Sequence, residues 1–308
     1  MSETLLPLVV ILGPTASGKT DLSIKLAKKF YGAIVSADSR QVYCGLDIGT
    51  SKISSEERKD VQHFLIDVVS PEEEFTLAHF QKLAFESIQT ILEQKKIPFL
   101  VGGTGLYINA VIENFLIPEV PPNKKLRERL EKLDLEALAR EFEQRNNDAF
   151  AHHIDMKNSR RVIRAIEMME ATGKNISELQ KKGERKYRVL KFGIVWPREE
   201  LYVRSDQVID RMFQMGFTEE VKKLLQKGIS SKWLESLGLE YRAVTQYLLG
   251  NVNPQSQKSM ICQLKLDQHA FIRRQLTWFR HDKEIFWLSS LNAFRVACKE
   301  MNNFLLRR

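Results

Sequence analysis

The most specific chemistry in the chain lies in Gly13-Pro14-Thr15-Ala16-Ser17-Gly18-Lys19-Thr20. A glycine, four residues, then Gly-Lys-Thr is the spacing of a loop that wraps a di- or triphosphate. Glycines let successive backbone N–H groups converge on one anion, Lys19 adds a point charge for outer phosphate oxygens, and the Thr20 hydroxyl suits Mg²⁺. A helix starting behind the loop adds its N-terminal dipole. Kinases, hydrolases and transferases all use such a loop, so it fixes the ligand class and leaves the reaction open. A second group, Asp38-Ser39-Arg40-Gln41, offers a carboxylate that could accept a proton or bind Mg²⁺, with a guanidinium and an amide beside it. A third, Gly102-Gly103-Thr104-Gly105, lets a hydroxyl approach a ligand closely. It stands where a motor ATPase would carry the acid that follows its later strand.

These residues need a scaffold that brings them together, and the hydrophobic pattern supplies one. Leu8–Leu12 is a continuous apolar run, as in a strand buried on both faces. Leu22, Leu26 and Phe30 then share a helical face. Residues 33–37, 64–69 and 98–101 read as further strands, with a helix from about Thr76 to Gln94. Alternation of this kind predicts an α/β fold with a parallel, doubly wound sheet. In such a sheet the carboxyl ends of the strands face the ligand, which sets Asp38 and Thr104 beside the phosphate loop.

Pro118, Pro121 and Pro122 mark a change of character. Residues 123–183 read as almost purely helical, Lys191–Trp196 returns to strand, and the chain after Pro197 is again mostly helical. The expected organisation is a core of residues 1–117 and 191–308 interrupted by an all-helical insertion, 118–190. The 308 residues carry a net charge of +8, unevenly placed. Residues 1–117 hold 11 Lys and Arg against 14 Asp and Glu, whereas residues 157–191 hold 11 against 4. That excess predicts a polyanionic partner, RNA or DNA, for the second half. Arg160, Arg161 and Arg164 stand at helical spacing within it. His152-His153 has no partner at metal spacing, and Cys44, Cys262 and Cys298 form neither a zinc pattern nor a disulfide framework. A reducing, cytoplasmic setting is expected. No apolar run approaches the roughly 20 residues of a membrane helix.

Taken in order, Gly13–Thr20, Asp38–Tyr43, Asp47–Lys52, Val101–Tyr107, Asn158–Glu167, Thr172–Lys174 and Arg274–Arg280 closely resemble the tRNA dimethylallyltransferase family. The resemblance implies a P-loop core with a helical insertion that grips the anticodon arm, acting as a cytoplasmic monomer. It implies Mg²⁺-dependent transfer of a dimethylallyl group from dimethylallyl diphosphate to N6 of the adenosine at tRNA position 37. Gly13, Pro14, Thr15, Ala16, Ser17, Gly18, Lys19 and Thr20 would then hold the donor's diphosphate, with Thr20, and Asp38 as a second candidate, toward the metal. Asp38, Thr104, Lys19 and Arg211 match catalytic positions. Asp38, Ser39, Arg40, Gln41, Thr104, Arg127, Arg160, Arg161, Val162, Ile163, Arg164, Tyr241 and Arg242 match tRNA contacts. Two positions depart from the family pattern: Gln207, where an arginine commonly precedes Arg211 by four, and Glu240, where a glycine is common. The zinc-finger extension of eukaryotic members is absent.

Other readings are an adenylate prenyltransferase acting on a free nucleotide, a small-molecule kinase with Asp38 as base, and a non-catalytic RNA-binding protein. The basic insertion argues against the first, because a mononucleotide needs no such surface. Lys19, Thr20, Asp38 and Thr104 occurring together argue against the last.

Overall fold

The computed structural model describes residues 5–146, 154–250 and 256–306. His152 and His153 lie outside the described residues. The chain divides into two compact units, one of residues 1–112 and 186–308, the other Glu113–Arg185. The second begins and ends five residues ahead of the expected boundaries, because the returning strand already starts at Tyr187.

The larger unit opens with strand β1 (Leu6–Leu12), helix α1 (Lys19–Lys29), β2 (Gly32–Ser36), the short α2 (Ser55–Arg58), β3 (His63–Phe64), α3 (Leu77–Glu93), β4 (Ile97–Gly102) and α4 (Gly105–Ile112). Four helices of the smaller unit follow: α5 (Lys124–Leu130), α6 (Leu135–Arg145), α7 (Ser159–Thr172) and α8 (Ile176–Leu179). The chain then re-enters the larger unit as β5 (Tyr187–Val195), α9 (Arg198–Gln214), α10 (Phe217–Gln226), α11 (Ser231–Ser236), α12 (Leu239–Leu248), α13 (Gln257–Arg280), β6 (Ile285–Ser289) and α14 (Ala293–Leu306).

The six strands form one sheet in the order β3-β2-β4-β1-β5-β6, every pair parallel. Val9, Val10 and Ile11 are fully buried because both faces of the sheet are covered. One face packs Val10 and Leu100 against Phe80, Ala84 and Ile88 of α3. The other packs Val9 and Phe99 against Leu22 and Leu26 of α1 and Ala297 of α14. Each fully buried Leu, Ile or Phe contributes about 2 kcal/mol. Thr76 caps α3, its hydroxyl accepting the His79 N–H. None of the described helices is long and apolar enough to cross a membrane.

Two strand expectations change. Of the run 64–69 only Phe64 falls in β3, because Leu65 (φ 61°) and Asp67 (φ 56°) enter left-handed backbone and break the extension. Residues 67–69 instead bond back to Gln41, Val42 and Cys44. Ile285-Phe286-Trp287-Leu288 forms the sheet edge in a region read as helical. Its four apolar, β-prone residues after a charged turn were the overlooked signal.

In the smaller unit, Leu130, Leu138, Phe142, Val162 and Ile166 close a separate helical core. Asn158 caps α7 and Gly173, at φ 65°, ends it.

Gly102 ends β4 where β2 and β4 run closest. A Cβ there would stand 2.1 Å from the Ala37 carbonyl oxygen. Gly102→Ala is therefore expected to lower unfolding stability by about 2 kcal/mol or more, read from urea denaturation; an unchanged midpoint would contradict this packing.

Candidate active site

Three adjacent strands, β2, β4 and β1, deliver the candidate residues to one edge of the sheet. Leu12 pairs with Gly102, Ser36 pairs with Val101, and the Ala37 N–H donates to the Val101 carbonyl at 2.7 Å. All three strands run the same way, so the phosphate loop, Asp38 and Thr104 leave their carboxyl ends together.

The loop curls between β1 and α1, with Gly13 at φ 147°, Ala16 at 63° and Gly18 at 87°. Lys19 Nζ donates to the Pro14 carbonyl at 2.7 Å. Burial, partly countered by the nearby Asp38 carboxylate, lowers the Lys19 pKa to about 8. The Ser17 hydroxyl is buried without a hydrogen-bond partner. Thr20, the second residue of α1, is exposed.

Three side chains outside the motif hold the loop's outer rim. Trp196 Nε1 donates to the Ser17 carbonyl at 2.9 Å, and Arg204 Nε to the Ala16 carbonyl at 3.1 Å. The Arg204 guanidinium lies 4.2 Å over the Trp196 ring. Gln275 Oε1 accepts the Thr15 N–H at 3.1 Å. Trp196 was legible in principle, since it follows β5, the other neighbour of β1. Gln275 stands inside a matched block without having drawn a role. Arg204 carried no local signal.

Arg204 is an α9 arginine that bonds the phosphate loop directly. Arg211, the expected clamp, is exposed two helical turns further along α9, about 10 Å from Arg204, and Gln207 is exposed on the same helix.

Asp38 is partly buried just beyond β2. Its Oδ1 accepts the Arg40 N–H at 2.8 Å and the Gln41 N–H at 3.4 Å, which fixes the carboxylate and leaves Oδ2 without a described partner. Thr104 starts α4, its carbonyl accepting from Tyr107 and Ile108 while its hydroxyl makes no described hydrogen bond. Ser39 and Arg40 are partly exposed. Gln41 is engaged on both sides, accepting from the Ser36 hydroxyl at 3.1 Å and donating to the Thr50 carbonyl at 3.2 Å.

Residues 47–52 form a rigid shelf behind this turn. The Asp47, Ile48 and Gly49 N–H groups converge on the Glu220 carboxylate at 3.0, 2.7 and 3.2 Å. Tyr241 donates its hydroxyl to the same carboxylate at 2.7 Å and is 2% exposed. Burial and the Glu220 charge drive its pKa strongly upward. The Tyr241 ring is therefore a core side chain here and not an exposed RNA contact. Arg242 remains exposed, its Nε donating to the Glu235 carbonyl. Glu240 is pushed up in pKa by burial, which the nearby Arg40 partly offsets.

In the smaller unit, Val162 and Ile163 face the helical core, 0% and 6% exposed, and their side chains are not open to a partner. Arg127 and Arg164 are committed to the buried Glu167. Arg127 makes a bidentate pair at 2.9 and 2.7 Å, while Arg164 bonds the same carboxylate and the Val120 carbonyl. Burial alone would raise the Glu167 pKa; the two arginines and the Asn123 N–H outweigh it and hold the carboxyl below its usual range. Arg160 and Arg161 are exposed in the first turn of α7 with no described ion-pair partner, and Lys124 and Lys125 are exposed on α5.

Fold and site together define a phosphate-loop α/β protein whose candidate anion site lies near a strand-end carboxylate. A family model described as IPP transferase matches residues 41–282. The tRNA dimethylallyltransferase of Thermomicrobium roseum is 41% identical over 285 residues, 91% of this chain and 85% of that one. A crystal structure of a tRNA isopentenylpyrophosphate transferase from Bacillus halodurans is 38% identical, with TM-score 0.71 over 97% of this chain and 95% of that one. A eukaryotic dimethylallyltransferase acting on tRNA is 26% identical, with TM-score 0.81 over 98% of this chain and 80% of that one. The chain belongs to the IPP transferase family.

An ammonium with a pKa of about 8 loses its proton as pH rises through that value. Binding of inorganic pyrophosphate, measured by calorimetry, is expected to be pH-independent with respect to Lys19 below 8. Above 8 it should weaken by up to about tenfold per unit. A flat profile to pH 10 would remove the Lys19 charge from anion binding.

Proposed function

We propose that this chain transfers a dimethylallyl group from dimethylallyl diphosphate to N6 of the adenosine at tRNA position 37, releasing diphosphate. The observation that carries the reading is 41% identity over 91% of the chain to a tRNA dimethylallyltransferase, with the motif residues of the phosphate loop and the strand-end Asp38 all present.

In this reading the loop amides and Lys19 bind the donor's diphosphate, and Arg204 and Trp196 keep the loop in shape. Mg²⁺ suits the oxygen chemistry at hand: the exposed Thr20 hydroxyl would be its ligand from the chain, which keeps Asp38 Oδ2 for the proton. Among the described residues no group of three or more His, Cys, Asp or Glu could hold a metal. The ion would take its remaining ligands from phosphate and water, and when bound it supplies charge neutralisation on the leaving diphosphate.

The exocyclic amine of adenine is a weak nucleophile, because its lone pair is delocalised into the ring. As its nitrogen bonds to C1 of the prenyl group, the C1–O bond breaks and its electron pair leaves with the diphosphate. Lys19 and the loop N–H groups stabilise that charge. Asp38 Oδ2 takes the amine proton, its carboxylate held in place by the two N–H bonds to Oδ1. Thr104 borders the adenosine, and Ser39 and Arg40 supply hydrogen-bonding groups for an extruded base. Gln41, committed to Ser36 and Thr50, orders the turn.

Arg160, Arg161, Lys124 and Lys125 are the cations we assign to the RNA backbone. Arg160 and Arg161 sit at the positive end of the α7 dipole, an unfavourable place for cations that a phosphate would relieve. Arg127 and Arg164, paired with Glu167, shape the helical unit and lend it residual positive charge. This surface favours a polynucleotide acceptor over a free adenylate.

Labelled dimethylallyl diphosphate offered to unmodified tRNA and AMP together tests the reading; label is expected in tRNA, and label in AMP would replace it with cytokinin-type chemistry. Asp38→Ala is expected to cut turnover about 10²- to 10⁴-fold while tRNA binding stays near wild type; unchanged turnover would remove Asp38 from the base role. Reversing Arg160 and Arg161 to Glu should weaken tRNA binding and reduce its salt slope by about 2. An unaltered slope would put the RNA elsewhere.

A further inference from the structure

The Gln275 side chain on α13 touches two strand ends at once. Its Oε1 accepts the Thr15 N–H at 3.1 Å, and its Nε2 donates to the Gly103 carbonyl at 3.2 Å. The residue is only 9% exposed. The Thr15 N–H belongs to the Pro14–Thr15 peptide, whose other end, the Pro14 carbonyl, holds Lys19 Nζ at 2.7 Å. In a planar trans peptide the C=O and N–H point opposite ways, so a bond that anchors the N–H aims the carbonyl. A Cβ on Gly103 would meet Gln275 Nε2 at 3.1 Å and Lys19 Nζ at 4.0 Å, so both groups border that glycine, one residue before Thr104.

We propose that Gln275 is a positioning residue for prenyl transfer: its amide orients the Pro14–Thr15 peptide that carries the Lys19 ammonium and ties it to the Gly103–Thr104 turn. It thereby sets the distance between the donor's diphosphate and the acceptor side of the cleft. The inference rests on reading the loop as the donor's diphosphate site.

The arrangement needs an acceptor and a donor on one planar group. An amide provides both; a carboxylate provides only the acceptor and would face the Gly103 carbonyl with a second oxygen. It would also add negative charge near Lys19. A purely structural role, satisfying two buried backbone groups, is separable from this one. It would lower the melting temperature and leave anion affinity alone.

The test compares the full-length wild type with Gln275→Ala and the isosteric Gln275→Glu. The readouts are melting temperature, calorimetric binding of magnesium pyrophosphate near neutral pH, and steady-state transfer to tRNA. Gln275→Ala is expected to weaken pyrophosphate binding and lower kcat by about tenfold or more each, with the KM for tRNA within about twofold. Gln275→Glu is expected to weaken pyrophosphate binding and lower kcat by about tenfold, because the carboxylate loses the donor to Gly103 and adds negative charge beside the bound anion. It carries the test if the alanine variant does not fold. Pyrophosphate affinity within twofold of wild type and a loss confined to melting temperature would overturn the proposal. Wild-type protein that binds pyrophosphate with these Gln275 effects but prenylates no tRNA would leave the clamp standing and sink the functional reading. Wild-type protein that binds no pyrophosphate would overturn both.

Discussion

The site depends on the close approach of β2 and β4 at their carboxyl ends. A hydrogen-bond distance of 2.7 Å joins the Ala37 N–H to Val101, and Gly102 has no room for a side chain against the Ala37 carbonyl. That contact helps bring Asp38 within electrostatic range of Lys19, which follows β1 on the far side of β4. A parallel sheet makes such convergence natural, because every strand delivers its next residues to the same edge. The buried cation of the loop then sits beside a carboxylate that moderates it without forming a described ion pair with it.

Much of the remaining architecture consists of carboxylates that hold backbone or guanidinium groups still. Glu220 gathers three N–H groups of residues 47–49 and the Tyr241 hydroxyl. Glu167 gathers Arg127, Arg164 and the Asn123 N–H. Glu167 is buried and Glu220 partly so; such acids cost desolvation, and removing a partner leaves an uncompensated charge, so their value is in fixing a geometry. They also divide the basic residues of the chain. Arginines paired with a buried acid shape a surface, whereas exposed ones such as Arg160 and Arg161 are open to an external anion.

The phosphate loop, the parallel sheet and the convergence of Asp38 with Thr104 were legible in the sequence, because each follows from local pattern and from the rule that strand ends share an edge. The limits were of one kind. Tyr241, Val162 and Ile163 lie in blocks that match tRNA contacts, yet burial turns their side chains inward, and burial is a property of packing between distant segments. Arg204 and Gln275 reach the loop from 188 and 260 residues away, distances at which spacing carries no information. Leu65 and Asp67 broke an apolar run that read as strand, since left-handed backbone at those positions is set by the bonds of 67–69 to Gln41, Val42 and Cys44.

The central claim is that one edge of the sheet sets a prenyl diphosphate in the loop with its reactive carbon toward Asp38 and Thr104. A crystal structure of the full chain with Mg²⁺ and the thiol-linked analogue of dimethylallyl diphosphate tests it most directly. The account expects the diphosphate within hydrogen-bond distance of Lys19 and the loop N–H groups, with C1 facing Asp38 Oδ2 and the Thr15 N–H still on Gln275. A diphosphate bound outside the loop, or a prenyl carbon turned away from Asp38, would contradict it.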